Sequence, residues 1–255
     1  MLLVFDVGNT NIVIGAYDKE NLVHSWRMST ALERTEDEMG LVLRSLLENA
    51  GLFADGFGGA ILSSVVPAVT LVLAGAIRKA LHVEPLIASN KLRLDLGLAH
   101  ASSGEIGIDR LVTCVAAHKL YGGPAIVIDY GTASKYDVID ENGAFVTGIT
   151  APGIGICADA LFSRAALLGC VPLELPASTM VQNTIESLQM GILGGRVGET
   201  EYFVRRLRQD TGWANMKVIA TGGFVSVLAA GTDVFDVVNP NLTLEGLRLI
   251  YEMNR

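Results

Sequence analysis

Residues 5–11 read FDVGNTN, and residues 128–134 read IDYGTAS. In each stretch an apolar run is interrupted by an acid, a glycine and small polar residues, and a second apolar run follows without room for a helix. Asp129 matches Asp6 and Gly131 matches Gly8, in both cases 123 residues further along the chain. We therefore predict a duplicated unit, in which each copy opens with a strand, a tight turn and a second strand.

The segments after each hairpin have helical and strand patterns in alternation. TEDEMGLVLRSLLENAG (35–51) combines apolar residues at helical spacing with an acidic first turn and a closing glycine. GGAILSSVVP (58–67) is typical of a buried strand running into a helix, and Ser102 and Glu105 form a capping-box pattern ahead of IGIDRLVTCVAAHKL. Helical connections between strands indicate mixed sheets covered by helices, an α/β fold.

The second copy is predicted in the same terms. Its remaining elements are helices at 155–169 and 183–209, a strand at 218–223 and a closing helix from about residue 243. Divided by chain order, the halves are 1–115, with the first turn, and 116–255, with the second.

Composition limits the class of protein. The 255 residues are 50% hydrophobic and 18% charged, with a net charge of −8 and no basic block, which argues against nucleic-acid binding. Asp6 and Gly8 interrupt what would be the core of a signal peptide, and the apolar run 68–77 is too short to cross a bilayer. Three cysteines without CxxC spacing predict reduced thiols in a cytoplasmic protein.

The paired turns suit a nucleotide phosphate. Glycine allows close approach of the backbone, and uncovered N–H groups in such a turn attract anions. The Asp6 carboxylate repels phosphate, so it can contribute to phosphate binding only where a divalent cation bridges the carboxylate and the phosphate oxygens. We expect two such turns, facing each other, to hold a polyphosphate; the alternative for Asp6 is an Asx-turn acid that only closes a hairpin.

Other phosphate motifs are weaker. No GxxxxGK[ST] occurs in the sequence. Gly153, Gly155 and Ala158 fit the dinucleotide pattern G-x-G-x-x-A, but Pro172 and Pro176 crowd the segment where the next strand of that unit must run. The small residues ATGG (220–223) at a strand-to-helix turn would suit an adenosine, or would simply make a tight turn.

GIDR (107–110) falls at the first turn of a helix. Asp109 there either complements the helix dipole or acts as a base that accepts a substrate hydroxyl proton, with Arg110 beside it to hold an acidic substrate.

Six blocks together resemble one family. DVGNTN, GIDR, DYGTA, APGIGICADALFSRAALL, NTIESLQMGI and VIATGG occur in the order and spacing of type III pantothenate kinases. The resemblance spans essentially the whole chain. It implies a duplicated RNase H-like fold of the actin-like ATPase superfamily, a cytoplasmic homodimer, and ATP-dependent phosphorylation of pantothenate to 4'-phosphopantothenate, the first step of coenzyme A biosynthesis.

The resemblance also implies site residues, cofactors and substrates. Asp109 is the catalytic base, Asp6 reaches Mg²⁺, and Asp129 binds a monovalent cation, K⁺ or NH₄⁺. The ATP-binding set is Asp6, Val7, Gly8, Asn9, Thr10, Asn11, Ile12, Val13 and Thr132. The pantothenate-binding set is His100, Gly107, Ile108, Asp109, Arg110 and Thr184, with Thr184 contacting the substrate of the neighbouring subunit; the alternative for Thr184 is a plain helix N-cap role, for itself or Asn183.

Several positions depart from the family pattern: His100 replaces a tyrosine, Ser134 and Lys135 replace a pair of threonines, and Thr147 stands where a glycine pair is usual. Lys135 either places its ammonium near the cation site and supplants or weakens the monovalent cation, or is a solvated side chain pointing away. These departures keep two other functions open, a catalytically silent relative with a regulatory role and a kinase for another small hydroxy acid.

Overall fold

The computed structural model of the chain describes residues 1–98, 106–164 and 169–255. The described residues form two compact units, one of residues 1–96, 106–116 and 242–255, the other of residues 97–98, 117–164 and 169–241. Each unit holds one five-stranded mixed sheet.

The first sheet is built from strands β1 (Leu2–Val7), β2 (Asn11–Asp18), β3 (Asn21–Ser29), β4 (Gly59–Ser64) and β5 (Leu86–Ile87). Its order is β3-β2-β1-β4-β5, with the first three strands antiparallel and β4 and β5 parallel to β1. Every residue of β1 except Asp6 is buried, because this central strand is covered on both faces.

Helices cover the two faces of the first sheet. Helices α1 (Glu36–Asn49) and α2 (Pro67–Leu81) pack on each other and share one apolar core with alternate residues of β1 and β2. Thr35 caps α1 in a capping box with Glu38, and Gly51 follows in a left-handed conformation, which confirms the helix predicted there. The closing helix α8 (Leu242–Asn254) packs against β1, β2 and β4.

The second sheet repeats the same plan. Its strands are β6 (Ala125–Tyr130), β7 (Ala133–Ile139), β8 (Phe145–Pro152), β9 (Lys217–Gly222) and β10 (Val237–Val238), in the order β10-β9-β6-β7-β8. Strands β6, β7 and β8 are antiparallel, while β9 and β10 are parallel to β6. The correspondence is strand for strand with the first sheet, so the predicted duplicated α/β fold with mixed sheets is confirmed.

Helix α3 (Ile108–Tyr121) begins in the first unit and ends in the second, and the second unit also holds α4 (Ile154–Arg164), α5 (Thr184–Gln189), α6 (Gly195–Thr211) and α7 (Val225–Ala229). A π-helical turn, Met190–Gly194, joins α5 to α6 where the sequence predicts one continuous helix. Side chains of α6 and α7 complete the core on one face of β6, β7 and β9. Ser102 and Glu105, the predicted capping box of α3, lie outside the described residues.

The division into units follows packing rather than chain order. The chain passes from the first unit to the second between residues 116 and 117, and α8 belongs with the first sheet, whereas chain order placed it in the half 116–255. Within the described residues, no helix combines the length and the apolar character needed to cross a membrane.

Candidate active site

The first predicted phosphate loop is the turn between β1 and β2. The Gly8 N–H donates to the Asn11 carbonyl at 2.9 Å, and the Thr30 hydroxyl donates to the Gly8 carbonyl at 2.7 Å. The Thr30 N–H also donates to the Thr10 carbonyl at 3.0 Å. The end of β3 therefore fixes this loop from outside, while Asn9 and Thr10 remain exposed. Sequence reasoning missed Thr30, because nothing local marks a contact 22 residues from Gly8.

The neighbours of Asp6 fit a metal-linked carboxylate. Asp6 is half-buried and lies opposite Val13 on β2 and Ser63 on β4, neither of which carries a charge. The Ser63 hydroxyl is buried and has no hydrogen-bond partner within the described part of the chain. An unpartnered buried hydroxyl is costly, so its place beside Asp6 is consistent with a polar ligand there. Val7 and Ile12, in contrast, point into the core, so only their backbones are available to ATP.

The second predicted loop joins β6 to β7. The Gly131 N–H donates to the Ala133 carbonyl at 3.2 Å, and Thr132 is exposed at the tip. The Gly153 N–H donates to the Thr132 carbonyl at 3.1 Å. A Cβ on Gly153 would lie 2.6 Å from the Gly131 carbonyl oxygen, so the loop rests on a backbone that only glycine provides.

The sheet topology around residues 153–158 excludes the dinucleotide unit that their glycine pattern resembles. The strand before it, β8, is an antiparallel edge strand, and the next strand in the chain, β9, pairs with β6 instead. A dinucleotide unit needs parallel neighbouring strands joined by the helix. Gly153 therefore serves packing under the second loop rather than dinucleotide binding.

Behind the second loop lies a buried polar network. Arg196 donates to the Pro152 carbonyl and forms an ion pair with Glu199. The Tyr136 hydroxyl donates to Glu199 Oε1 at 3.1 Å, and the Tyr130 hydroxyl lies 2.7 Å from Thr200 Oγ1. Both tyrosine hydroxyls are protonated at neutral pH, and burial raises their pKa further above the ordinary value. The network holds Pro152, and with it the glycine that supports the loop.

Asp129 makes an ion pair with Lys135. Lys135 Nζ donates to Asp129 Oδ2 at 2.9 Å. The two residues are directly opposite in the β6–β7 ladder, so their side chains emerge on the same face. The alternative that Lys135 is a solvated side chain pointing away is wrong.

The ATGG turn ends β9. Gly222 has φ of +99°, and a Cβ there would lie 2.5 Å from the Tyr130 backbone nitrogen. Residue 222 must therefore be glycine because its backbone lies against the end of β6, next to the second loop. Gly223, the next residue, is exposed.

GIDR lies at the start of α3, as predicted. The N–H groups of Arg110 and Leu111 donate to the Gly107 carbonyl, at 3.1 and 3.3 Å. The Asp109 side chain folds back over Gly107, since a Cβ on that glycine would lie 2.5 Å from Asp109 Oδ1. Asp109 and Arg110 are both half-buried.

Thr184 and Thr147 are exposed in the structure, and His100 is not among the described residues. Asn183 caps α5 by accepting from the Glu186 N–H at 2.9 Å, and Thr184, the first helical residue, is exposed. Thr147 is exposed on β8. His100 lies outside the described residues.

A family model described as type III pantothenate kinase matches residues 2–206. Proteins named type III pantothenate kinase from Agathobacter rectalis and Geobacillus kaustophilus are 41% and 42% identical, covering 98% and 100% of this chain and 96% and 98% of their own lengths.

Solved structures show the same fold at lower identity. The ethanolamine utilization protein EutJ from Carboxydothermus hydrogenoformans has a TM-score of 0.56 at 16% identity, covering 97% of this chain and 89% of that one. Component A of (R)-2-hydroxyglutaryl-CoA dehydratase from Acidaminococcus fermentans has a TM-score of 0.54 at 14% identity, covering 98% and 96%.

The paired sheets and their glycine-containing loops define an α/β protein of the actin-like ATPase fold, built from two RNase H-like copies. Within that class the full-length relatives are kinases. The chain belongs to the type III pantothenate kinase family.

Proposed function

We propose that this chain transfers the γ-phosphoryl group of ATP to the primary hydroxyl of pantothenate, giving 4'-phosphopantothenate for coenzyme A biosynthesis. The observation that carries the proposal is the identity of 41% to 42% with proteins named type III pantothenate kinase, over essentially the full length of both chains. The retained acids Asp6, Asp109 and Asp129 support it.

Asp109 is the proposed base. Its carboxylate would accept the proton of the pantothenate hydroxyl as the hydroxyl oxygen attacks the γ-phosphorus and the bond to ADP breaks. Placement at the first turn of α3 orients the carboxylate from a rigid helix. Arg110, the next residue, would pair with the substrate carboxylate, and the backbone of Gly107 and Ile108 would line the same site, with His100 as a further contact.

The loop from Asp6 to Val13 is proposed to contact the ATP phosphates, and Thr132 is proposed as a further ATP contact. The support is local: each loop is a glycine-containing turn whose backbone is fixed by outside hydrogen bonds, with exposed Asn9, Thr10 or Thr132 at its tip. Polar groups that are held in place before the reaction stabilise transferring phosphoryl groups.

Asp6 would hold Mg²⁺, with the Ser63 hydroxyl beside it. Among residues 1–98, 106–164 and 169–255, no group of three or more His, Cys, Asp or Glu side chains is placed to hold a metal. A single carboxylate is nevertheless usual for Mg²⁺ in kinases, where phosphate oxygens and water complete the shell. The ion would neutralise charge on the phosphates.

A homodimer and a cytoplasmic location are part of the proposal. Thr184 lies close in sequence to Met180 and Ile185, which are 79% and 52% exposed, and a partner subunit would cover such apolar side chains. All three cysteines are free, as in a reducing compartment. Sedimentation of the purified protein at micromolar concentration tests the dimer.

The kinase activity is tested by ADP release from MgATP with and without pantothenate. We expect pantothenate-dependent turnover, and a loss of about 10²–10⁴-fold in kcat for Asp109→Asn, since general-base catalysis contributes that much. Asp55→Asn, at an exposed acid of the first unit, is the matched control and should leave turnover unchanged.

The other two functions have their own outcomes. Turnover with other hydroxy acids but not pantothenate would identify a different kinase. Binding of ATP without turnover of any acceptor would identify a silent relative. Full activity in Asp109→Asn would remove Asp109 from the mechanism.

A further inference from the structure

The carboxylate that the resemblance assigns to a monovalent cation already holds a positive charge. Lys135 Nζ lies 2.9 Å from Asp129 Oδ2. The lysine and aspartate side chains are only 16% and 21% exposed, so this is a sheltered ion pair rather than a solvated surface contact. Asp137, which is 2% exposed, lies two residues along the same face of β7.

The strand register fixes this pair. Tyr130 opposes Ser134 and Asp129 opposes Lys135, so the two charged residues face each other across the loop with Thr132 at its centre. In the first copy of the fold the residue opposite Asp6 is Val13, which carries no charge. The duplicated hairpins therefore differ at this position: one acid faces an apolar side chain, and the other faces a lysine.

A K⁺ or NH₄⁺ ion does not fit beside this ammonium. Such an ion would need an oxygen of the Asp129 carboxylate as a ligand, and would then lie within a few ångströms of the Lys135 ammonium. The two positive charges would repel each other strongly, because solvent screens charges poorly at a buried position. The lysine ammonium carries the same single charge as NH₄⁺ and donates hydrogen bonds to oxygen in the same way.

We propose that Lys135 serves as a built-in monovalent cation, so that this kinase turns over without added K⁺ or NH₄⁺. This proposal rests on the proposed function, because Lys135 lies beside the second predicted phosphate loop. The lysine neutralises Asp129 permanently, whereas a dissociable ion would do so only in proportion to its concentration.

The test compares the full-length protein in KCl and in tetramethylammonium chloride at equal ionic strength, with MgATP present. Two quantities are measured, pantothenate-dependent ADP release and the midpoint of thermal unfolding. For the wild-type chain we expect turnover within twofold in the two salts and no K⁺-specific shift of the midpoint.

Lys135→Thr removes the ammonium and leaves oxygen and space beside Asp129. This variant should turn over at least tenfold faster in KCl than in tetramethylammonium chloride, and K⁺ should raise its unfolding midpoint. Lys91→Thr, at an exposed lysine in the first unit, is the matched control and should behave as wild type.

A wild-type chain that K⁺ activates tenfold or stabilises specifically would overturn the proposal, as would a Lys135→Thr variant that folds and remains indifferent to K⁺. If Lys135→Thr folds in neither salt, the wild-type comparison decides alone. If no salt supports turnover of pantothenate, the proposed function fails, while the K⁺-specific midpoint shifts of the two chains still decide the role of Lys135.

Discussion

Replacing Gly153 with alanine should damage the second phosphate loop, while the same change at Gly155 should not. A Cβ on Gly153 would lie 2.6 Å from the Gly131 carbonyl oxygen and would also meet the Thr132 carbonyl, both of them backbone atoms that cannot rotate away. A Cβ on Gly155 meets no atom within 4 Å. The two variants add the same methyl group two residues apart, so any difference between them reports on contact with the loop.

The magnitude follows from the overlap. An ordinary contact needs at least 3.4 Å, so the Gly131 carbonyl must retreat by almost 1 Å and the nearer Thr132 carbonyl by more than that. Overpacking of this kind costs about 1–3 kcal/mol of unfolding free energy. A misplacement of about 1 Å in a positioning group lowers catalysis by about 10²-fold. For Gly155→Ala, in the first turn of α4, we expect unchanged or slightly raised stability, because alanine favours a helix by about 0.5–1 kcal/mol.

The assays are urea denaturation and kcat/KM for ATP in pantothenate-dependent ADP release. Gly153→Ala should lose both stability and kcat/KM, and Gly155→Ala should lose neither. Equal kcat/KM and unfolding free energies for the two variants would refute the reasoning that Gly153 supports the loop by close packing.

Two further predictions concern buried polar groups. Burial raises the pKa of Tyr17, Tyr130 and Tyr136, so each protonated hydroxyl contributes its full share of the unfolding free energy below about pH 10. Above that pH the contribution falls by up to about 1.4 kcal/mol per pH unit for each tyrosine. Urea denaturation from pH 8 to 11 should therefore show a shallower fall of the unfolding free energy in Tyr136→Phe than in the wild type. Arg196→Met should lower the unfolding free energy by about 3–5 kcal/mol, because it leaves the Glu199 carboxylate without its ion-pair partner. The double variant Arg196→Met/Glu199→Gln should recover part of that loss. Equal unfolding free energies for the single and the double variant would contradict this reasoning.

Local signals in the sequence were sufficient for most of the fold. The helix predicted over residues 35–51 begins and ends within two residues of those bounds, because apolar residues at helical spacing, capping side chains and closing glycines act over a few positions. The acid and glycine repeated 123 residues apart predicted the duplication, which the matching strand orders confirm.

The Lys135–Asp129 pair shows how far local reasoning extends. The sequence places both residues three positions from Thr132, and in a hairpin centred on that residue they must face each other. The sequence left two alternatives for Lys135 because the centre of the turn was unspecified. A turn one residue longer, as in the first copy, would have changed its partner.

Only the tertiary structure decided which distant segments support the loops. Thr30 anchors the first loop, Gly153 and Arg196 support the second, and α8 packs on the first sheet although it closes the chain. The sequence by itself determined the elements, the duplicated turns and the acids at 6, 109 and 129, since these depend on neighbouring residues. The supporting contacts join residues 20 to more than 200 positions apart, and their partners are set by the packing of whole sheets and helices, which no local pattern encodes.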